Sequence, residues 1–148
     1  MTASVRRAEI ADLDCIAPLF DAYRQFYGQP ADVARAHDWL HARLARDESV
    51  VLLAERDGVA IGFTQLYPMF SSVRTARIWI LNDLYVDESA RRGGVARALL
   101  DAAAAFARDD GAARLMLETT RNNHGARALY RAAGWSEDDS QWYSLDLV

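Results

Sequence analysis

Arg91-Arg92-Gly93-Gly94-Val95-Ala96-Arg97 stand between a strand-like run ending at Tyr85-Val86 and an apolar-periodic helix, and their types suit the binding of phosphate. The first turn of a helix offers backbone N–H groups without intrahelical partners, together with roughly half a positive charge. Anions are held well at such an end. Gly93 and Gly94 remove side chains that would keep a phosphate off the backbone, and Arg91, Arg92 and Arg97 add cations. A nucleotide-type cofactor is the expected ligand. A Walker loop requires lysine, and all 17 basic side chains here are arginines. A dinucleotide fingerprint requires a third glycine, which is missing, although Glu118 lies near the position of its acidic residue. From these residues alone, a basic turn opening an ordinary helix stays open as an alternative.

The spacing Arg91-x-x-Gly94-x-Ala96 resembles the R/Q-x-x-G-x-G/A signature of the GNAT superfamily of acyl-CoA-dependent N-acetyltransferases. Downstream, Asn123-x-x-Ala126-x-x-Leu129-Tyr130-x-x-x-Gly134-Trp135 resembles that family's N-x-x-A-x-x-L-Y-x-x-x-G-F pattern, in the same order. The resemblance spans Ile78 to Trp135 and departs at Glu88, where proline is common. It implies an α/β GNAT fold: a mixed central sheet of about seven strands, helices on both faces, and splayed parallel central strands. It further implies acetyl-CoA as co-substrate; no metal is expected. The pyrophosphate would lie on Arg91 through Arg97, and the amide-rich arm between Leu84, Tyr85 and Val86 on one side and Glu118 and Thr119 on the other. Asn123 would contact that arm or its surroundings, and Tyr130 would protonate the departing thiolate. Read without the motif, Tyr130 equally suits a core aromatic with a surface hydroxyl.

Resemblance to the family also implies a bulge in the central strand, expected near Asn82 to Leu84, which frees a backbone N–H to polarise the acetyl carbonyl. An amine acceptor is mostly protonated at neutral pH, so a base or water relay is needed. Asp83 and Glu118 are the candidates. Asp83 lies in an otherwise apolar strand, where an acid is costly without a partner; pairing or capping the bulge is its alternative role. The segment Trp79 to Val86 resembles the HPA-type histone and polyamine acetyltransferases and the diamine acetyltransferases, with Asn82 where some diamine enzymes carry glutamate. Tyr23, Phe26, Tyr27, Gln29, Phe63, Gln65, Tyr67 and Asn82 are the expected acceptor-side residues, and core packing explains about half of them equally well. The expected reaction is direct attack by the primary amine of a small molecule in a ternary complex. Protein lysine or N-terminal acetylation, and an acyl-CoA-binding module without turnover, are the alternatives. His37 and His41 share a helix face without a third ligand, which favours surface packing over metal binding.

The elements that must position these residues follow from periodicity and punctuation. Ser4 to Ala8 reads as a strand, and Asp12 caps a helix reaching Tyr27 with Leu13, Ile16, Leu19 or Phe20, and Tyr23 on its core row. Gly28 and Pro30 break it before a second helix, Ala31 to Arg46. Val50 to Glu55 and Val59 to Tyr67 form a hairpin through Asp57-Gly58. A loop, Pro68 to Thr75, leads into the most hydrophobic strand, Arg77 to Val86. Helix Val95 to Arg108 crosses to a parallel strand, Arg114 to Thr119. Asn123 to Ala133 makes another helix stopped by Gly134, and Trp135 to Val148 supplies two final strands.

Composition sets the outer limits. With 148 residues, 51% of them hydrophobic, one domain over 1–148 is expected. A net charge of -4 argues against general nucleic-acid binding, which needs a dominant basic surface. The single cysteine, Cys15, cannot close an internal disulfide and is read as packing. Met1 to Ala11 has no apolar core and no stretch is long enough for a membrane span, so a cytoplasmic protein is expected. Trp142 to Leu147 reads as an apolar terminal edge strand, the expected seam of a homodimer.

Overall fold

Valine and leucine fill the first half of Val50–Arg56, and isoleucine, leucine, valine, tryptophan and tyrosine most of Ala76–Val86, where β-branched and aromatic side chains suit a pleated surface; these runs form two of the five strands of a single sheet among the described residues. A computed structural model describes residues 3–148. The readings of Met1 to Ala11 as leaderless and of 1–148 as one domain include Met1 and Thr2, which lie outside the described residues. In chain order the strands are β1 (Ser4–Arg7), β2 (Val50–Arg56), β3 (Val59–Ser71), β4 (Ala76–Val86) and β5 (Arg114–Met116), and they lie side by side in that order. The first three pairings are antiparallel; β4 and β5 are parallel. The helices are α1 (Leu13–Phe26), α2 (Val33–Ala45), α3 (Val95–Asp109) and α4 (His124–Ala132).

The chain divides into two compact units, Met1–Glu118 and Thr119–Val148. In the first, Leu13, Ile16, Leu19 and Phe20 of α1 and Ala36 and Leu40 of α2 close over Val51, Leu53 and Phe63. Gly62 precedes Phe63 and therefore faces the other way along β3; a Cβ there would meet Leu99 of α3 at 3.4 Å. Helices thus cover both faces of the sheet, as the sequence leads one to expect. Asp12 contributes less as a simple cap than as a linchpin. Its carboxylate accepts from Arg6 at 2.7 Å and from the Glu9 backbone, which holds its pKa down to about 2.

Several expectations need correction. The sheet has five strands among the described residues, not about seven, because Trp135 to Val148 is not in strand conformation. Alternating apolar residues specify which face a strand would bury, but pairing needs a partner edge, and β5 forms only three ladder positions. That strand stops at Met116, short of Thr119. β3 continues through Pro68 to Ser71, a proline it tolerates opposite Trp79. Cys15 is exposed, since the buried row runs through Leu13, Ile16 and Leu19 and passes it by.

Candidate active site

The backbone at the Gly-rich turn is shaped by its glycines. Gly94 is the N-cap of α3 with φ 79°, a left-handed conformation that costs an L-residue free energy, and Arg92 before it also has positive φ at 65°. The chain then enters α3 with no acidic residue in its first turn, leaving its leading N–H groups to an anion. Arg91 is anchored: its Nε donates to the Val86 carbonyl at 3.0 Å, and its guanidinium lies 5.6 Å from the Tyr85 ring centre. Arg97 is occupied differently, donating to Asp101 one turn along at 3.1 Å. Arg92, Gly93 and Gly94 are exposed, Val95 is buried and Ala96 half-buried.

Beside this turn, β4 is open. It is 11 residues long but pairs with β5 only at Ile78, Trp79 and Ile80. From Leu81 through Leu84, Tyr85 and Val86, its β3 edge is paired and its other edge has no strand partner among the described residues. β5 ends at Met116, and the unpaired edge of β4 leaves backbone N–H and C=O groups available to an amide-rich ligand. The bulge is also present. Gln65 opposes Asp83 and Leu66 opposes Leu81, so Asn82 is the extra residue of β4.

Behind the bulge sits a buried carboxyl. Asp83 is 4% exposed; its Oδ2 accepts from Gln65 Nε2 at 2.6 Å and its Oδ1 from Asn82 Nδ2 at 3.0 Å. Tyr23 OH donates to the Asn82 carbonyl at 3.4 Å, and Thr64 Oγ1 to the Asp83 carbonyl at 2.7 Å. Burial pushes the Asp83 pKa above the ordinary carboxylate range, opposed by hydrogen bonds from Gln65, Tyr23 and Asn82. Burial, and then the charge of Asp83, push the Tyr23 phenol up as well. Tyr67 is raised by burial too, between the Trp39 indole and Asp83. Around this carboxyl Tyr23 packs edge-on to Tyr27 at 5.1 Å, Phe63 at 5.9 Å and Tyr85 at 6.2 Å. Phe63 and Gln65 are both fully buried, so they support the cluster from within and line no open surface, contrary to their expected acceptor-side role. Phe26, Tyr27, Gln29 and Asn82 are exposed. Glu118 is exposed past the end of β5 and has none of Asp83's enclosure.

In the second unit, Asn123 is the N-cap of α4: its Oδ1 accepts from Ala126 N at 3.3 Å. The opposite end explains the spacing of the aromatic motif. Gly134 has φ 93°, Trp135 N donates to Tyr130 O at 2.9 Å and Gly134 N to Arg131 O at 3.0 Å, a Schellman stop. Its terminal side chains meet, with the Tyr130 and Trp135 rings 6.3 Å apart. Thr119, the first residue of this unit, is exposed.

Residues 16–135 match the model of the acetyltransferase (GNAT) family. The chain belongs to that family. As a GNAT protein it is an acetyl-CoA-dependent acetyltransferase. It is 50% identical to an uncharacterized N-acetyltransferase, YhfO, of Bacillus subtilis, over 91% of each chain. An aminoglycoside N(6')-acetyltransferase type 1 of Klebsiella aerogenes is 32% identical over 68% of this chain and 67% of its own. The crystal structure of a probable acetyltransferase superposes with a TM-score of 0.93 at 41% identity, over 98% of both chains.

Within this GNAT fold the first unit brings together Arg91, the glycine turn, the open edge of β4, the bulge and Asp83. One neighbour of the turn was not anticipated from sequence. Arg56, at the end of β2, places Nη2 3.3 Å from where a Gly93 Cβ would stand, and its Nε is buried without a hydrogen-bond partner. Only the ladder register, which aligns the ends of β2, β3 and β4, carries Arg56 to Gly93, and no local motif encodes that.

Proposed function

We propose that this acetyltransferase moves the acetyl group of acetyl-CoA to the primary amine of a small molecule, by direct attack in a ternary complex, with Asp83 as base. The observation that carries the reading is the Asp83 carboxyl, buried at the β4 bulge with a raised pKa and a fringe of tyrosines. An acid in this setting accepts a proton near neutral pH more readily than an exposed one. The ammonium gives its proton to Asp83, directly or through water, and the nitrogen lone pair attacks the thioester carbonyl. A backbone N–H at the bulge stabilises the resulting oxyanion. The C–S bond then breaks and the thiolate takes a proton from Tyr130, while the second nitrogen proton passes through water to the Tyr130 phenolate and Asp83 releases its proton to solvent, leaving a neutral N-acetyl amine and free CoA thiol.

Arg91, Arg92 and the N–H groups of Gly93 through Arg97 hold the pyrophosphate, and Leu84, Tyr85 and Val86 the pantetheine arm, with Thr119 and Asn123 entering by their motif positions. Closure by Tyr23, Tyr27 and Tyr67 favours a small acceptor over a protein chain, and one relative is named for a small-molecule substrate, an aminoglycoside. The likeness of Trp79 to Val86 to diamine enzymes keeps diamines within the reading. A second copy of the chain covers Trp142, Tyr143, Leu145 and Leu147, all highly exposed in the isolated protomer; light scattering that gives a monomer at micromolar concentration removes this element. Thiol release from acetyl-CoA is measured against diamines, amino acids, aminoglycosides and basic peptides. Release with at least one small amine is expected, and release with peptides alone overturns the small-molecule reading.

A further inference from the structure

A cavity of about 510 Å³ opens between α1 and α2, lined by Phe20, Arg24, Arg35, Asp38 and Trp39. Two arginines stand in its lining. Acidic side chains outnumber basic ones by 21 to 17, and arginines 6, 7, 43, 77, 97 and 127 each reach a carboxylate. Arg24 and Arg35 reach none among the described residues, and Arg24 Nη1 is buried with no hydrogen-bond partner at all. Of the nearby acids, Asp21 is committed elsewhere, accepting from Gln25 Nε2 at 3.0 Å and from Asp32 N at 2.9 Å, while the exposed carboxylate of Asp38 shares the cavity lining. A buried guanidinium nitrogen without an acceptor is an unmet hydrogen-bonding demand, and the planar fork it belongs to suits a carboxylate.

The cavity adjoins the buried carboxyl through shared rings. Phe20 stacks on Tyr23 at 6.3 Å and 18°, and Tyr23 reaches the Asn82 carbonyl beside Asp83. Trp39 faces the Tyr67 phenol, which in turn faces Asp83. The phenol rings of Tyr23 and Tyr67 therefore border both the arginine end and the base end.

We propose that this cavity binds the carboxylate of the acceptor, held by Arg24 and Arg35, while the acceptor's alkyl chain runs along Phe20 and Trp39 and its amine reaches Asp83. The proposal rests on the small-amine reading above and narrows it. The acceptor is an amino acid with amine and carboxylate at opposite ends of a chain, and diamines and polycationic amines are disfavoured.

Calorimetry of the CoA-bound protein with ε-aminocaproate, hexamethylenediamine and hexylamine tests it. The amino acid is expected to bind about tenfold or more tighter than either other amine, and Arg24→Gln or Arg35→Gln each to weaken it about tenfold or more. Arg24→Lys recovers part of the loss, and an unchanged melting profile shows that each variant folds. Equal affinity for acid and diamine, binding in both variants like the wild type, or no binding of ε-aminocaproate overturns the proposal. Thiol release on the same compounds separates the two readings. Arginine-dependent binding without release keeps the cavity assignment and removes small-amine transfer. Release on diamines with arginine-independent affinity does the reverse.

Discussion

Gln65 Nε2 donates to Asp83 Oδ2 at 2.6 Å inside the sheet, and the other end of the same amide, Oε1, is buried with no partner. The pair faces each other across β3 and β4 at the position where the ladder slips by one residue. The amide thus spends its donor on the carboxyl and leaves its acceptor unmet, an arrangement that favours a carboxylate capable of ionising over an inert buried acid.

Replacing Asp83 by Asn therefore has two opposite expected effects. The pKa of Asp83 is raised, first by burial, from an ordinary value of 3.8. The folded protein holds this proton more tightly than the unfolded chain, so stability falls as pH rises from 3.8 through the raised folded value. Asp83→Asn is expected to melt above wild type at neutral pH, aided by an Asn amide that can donate to Gln65 Oε1, and the gap closes below the ordinary carboxylate range. Turnover is expected to drop about 10²- to 10⁴-fold and to lose the acidic limb of its pH profile. A pH–rate profile matching wild type excludes Asp83 as base.

Gln65→Leu isolates the positioning contribution. It removes a donor that lowers the Asp83 pKa, so the acidic limb of the pH–rate profile is expected to move to higher pH. Loss of packing alone lowers the melting temperature without moving that limb. The two outcomes are separated by measuring both.

The first unit's cofactor side was legible from sequence because its signals are local. Gly94, Arg91 and the α3 start are contiguous, and Asp57-Gly58, with φ of 53° and 76°, encodes its hairpin in two residues. Asp83 stood out as an acid among apolar neighbours, but its partner did not. Gln65 is 18 residues away, and only the β3–β4 register brings it opposite. Phe63 failed as a pocket residue for the same reason, since an aromatic on β3 fits either face until α1 is docked over it. Arg24 and Arg35 are illegible in the sequence because a polar face of a helix ordinarily meets water, and only the docking of α1 on α2 places both in one cavity, with Arg24 Nη1 buried and unpartnered.

Arg91 and Arg97 are expected to differ in CoA binding although both flank the turn. Arg91 is fixed by Val86 O and Tyr85 beside exposed backbone N–H groups, whereas Arg97 is committed to Asp101. Arg91→Gln is expected to weaken CoA binding about 10- to 100-fold, the scale of a charge-assisted hydrogen bond, and Arg97→Gln about threefold or less. Calorimetric titration with CoA at two salt concentrations checks the ranking, and a larger loss at Arg97 reverses the assignment.

Tyr130 has both a structural and a chemical part, and two substitutions separate them. The Schellman stop needs Gly134 at φ 93° and sets the Tyr130 and Trp135 rings 6.3 Å apart. Gly134→Ala forces an L-residue into the left-handed region and is expected to cost about 1 kcal/mol of stability, read in a thermal melt. Tyr130→Phe keeps the ring, the helix stop and Trp135's neighbour, and removes only the hydroxyl. Its melting temperature and CoA affinity are expected to stay near wild type while turnover falls about 10²-fold or more, the size of a lost proton donor to the leaving thiolate. Thiol release with an amine of high intrinsic reactivity gives a further handle. Because the missing proton is the one taken by sulfur, the deficit is expected to shrink when acetyl-CoA is replaced by an aryl thioester, whose thiolate leaves without protonation. A deficit of the same size with both donors assigns the loss to packing and removes Tyr130 from the chemistry.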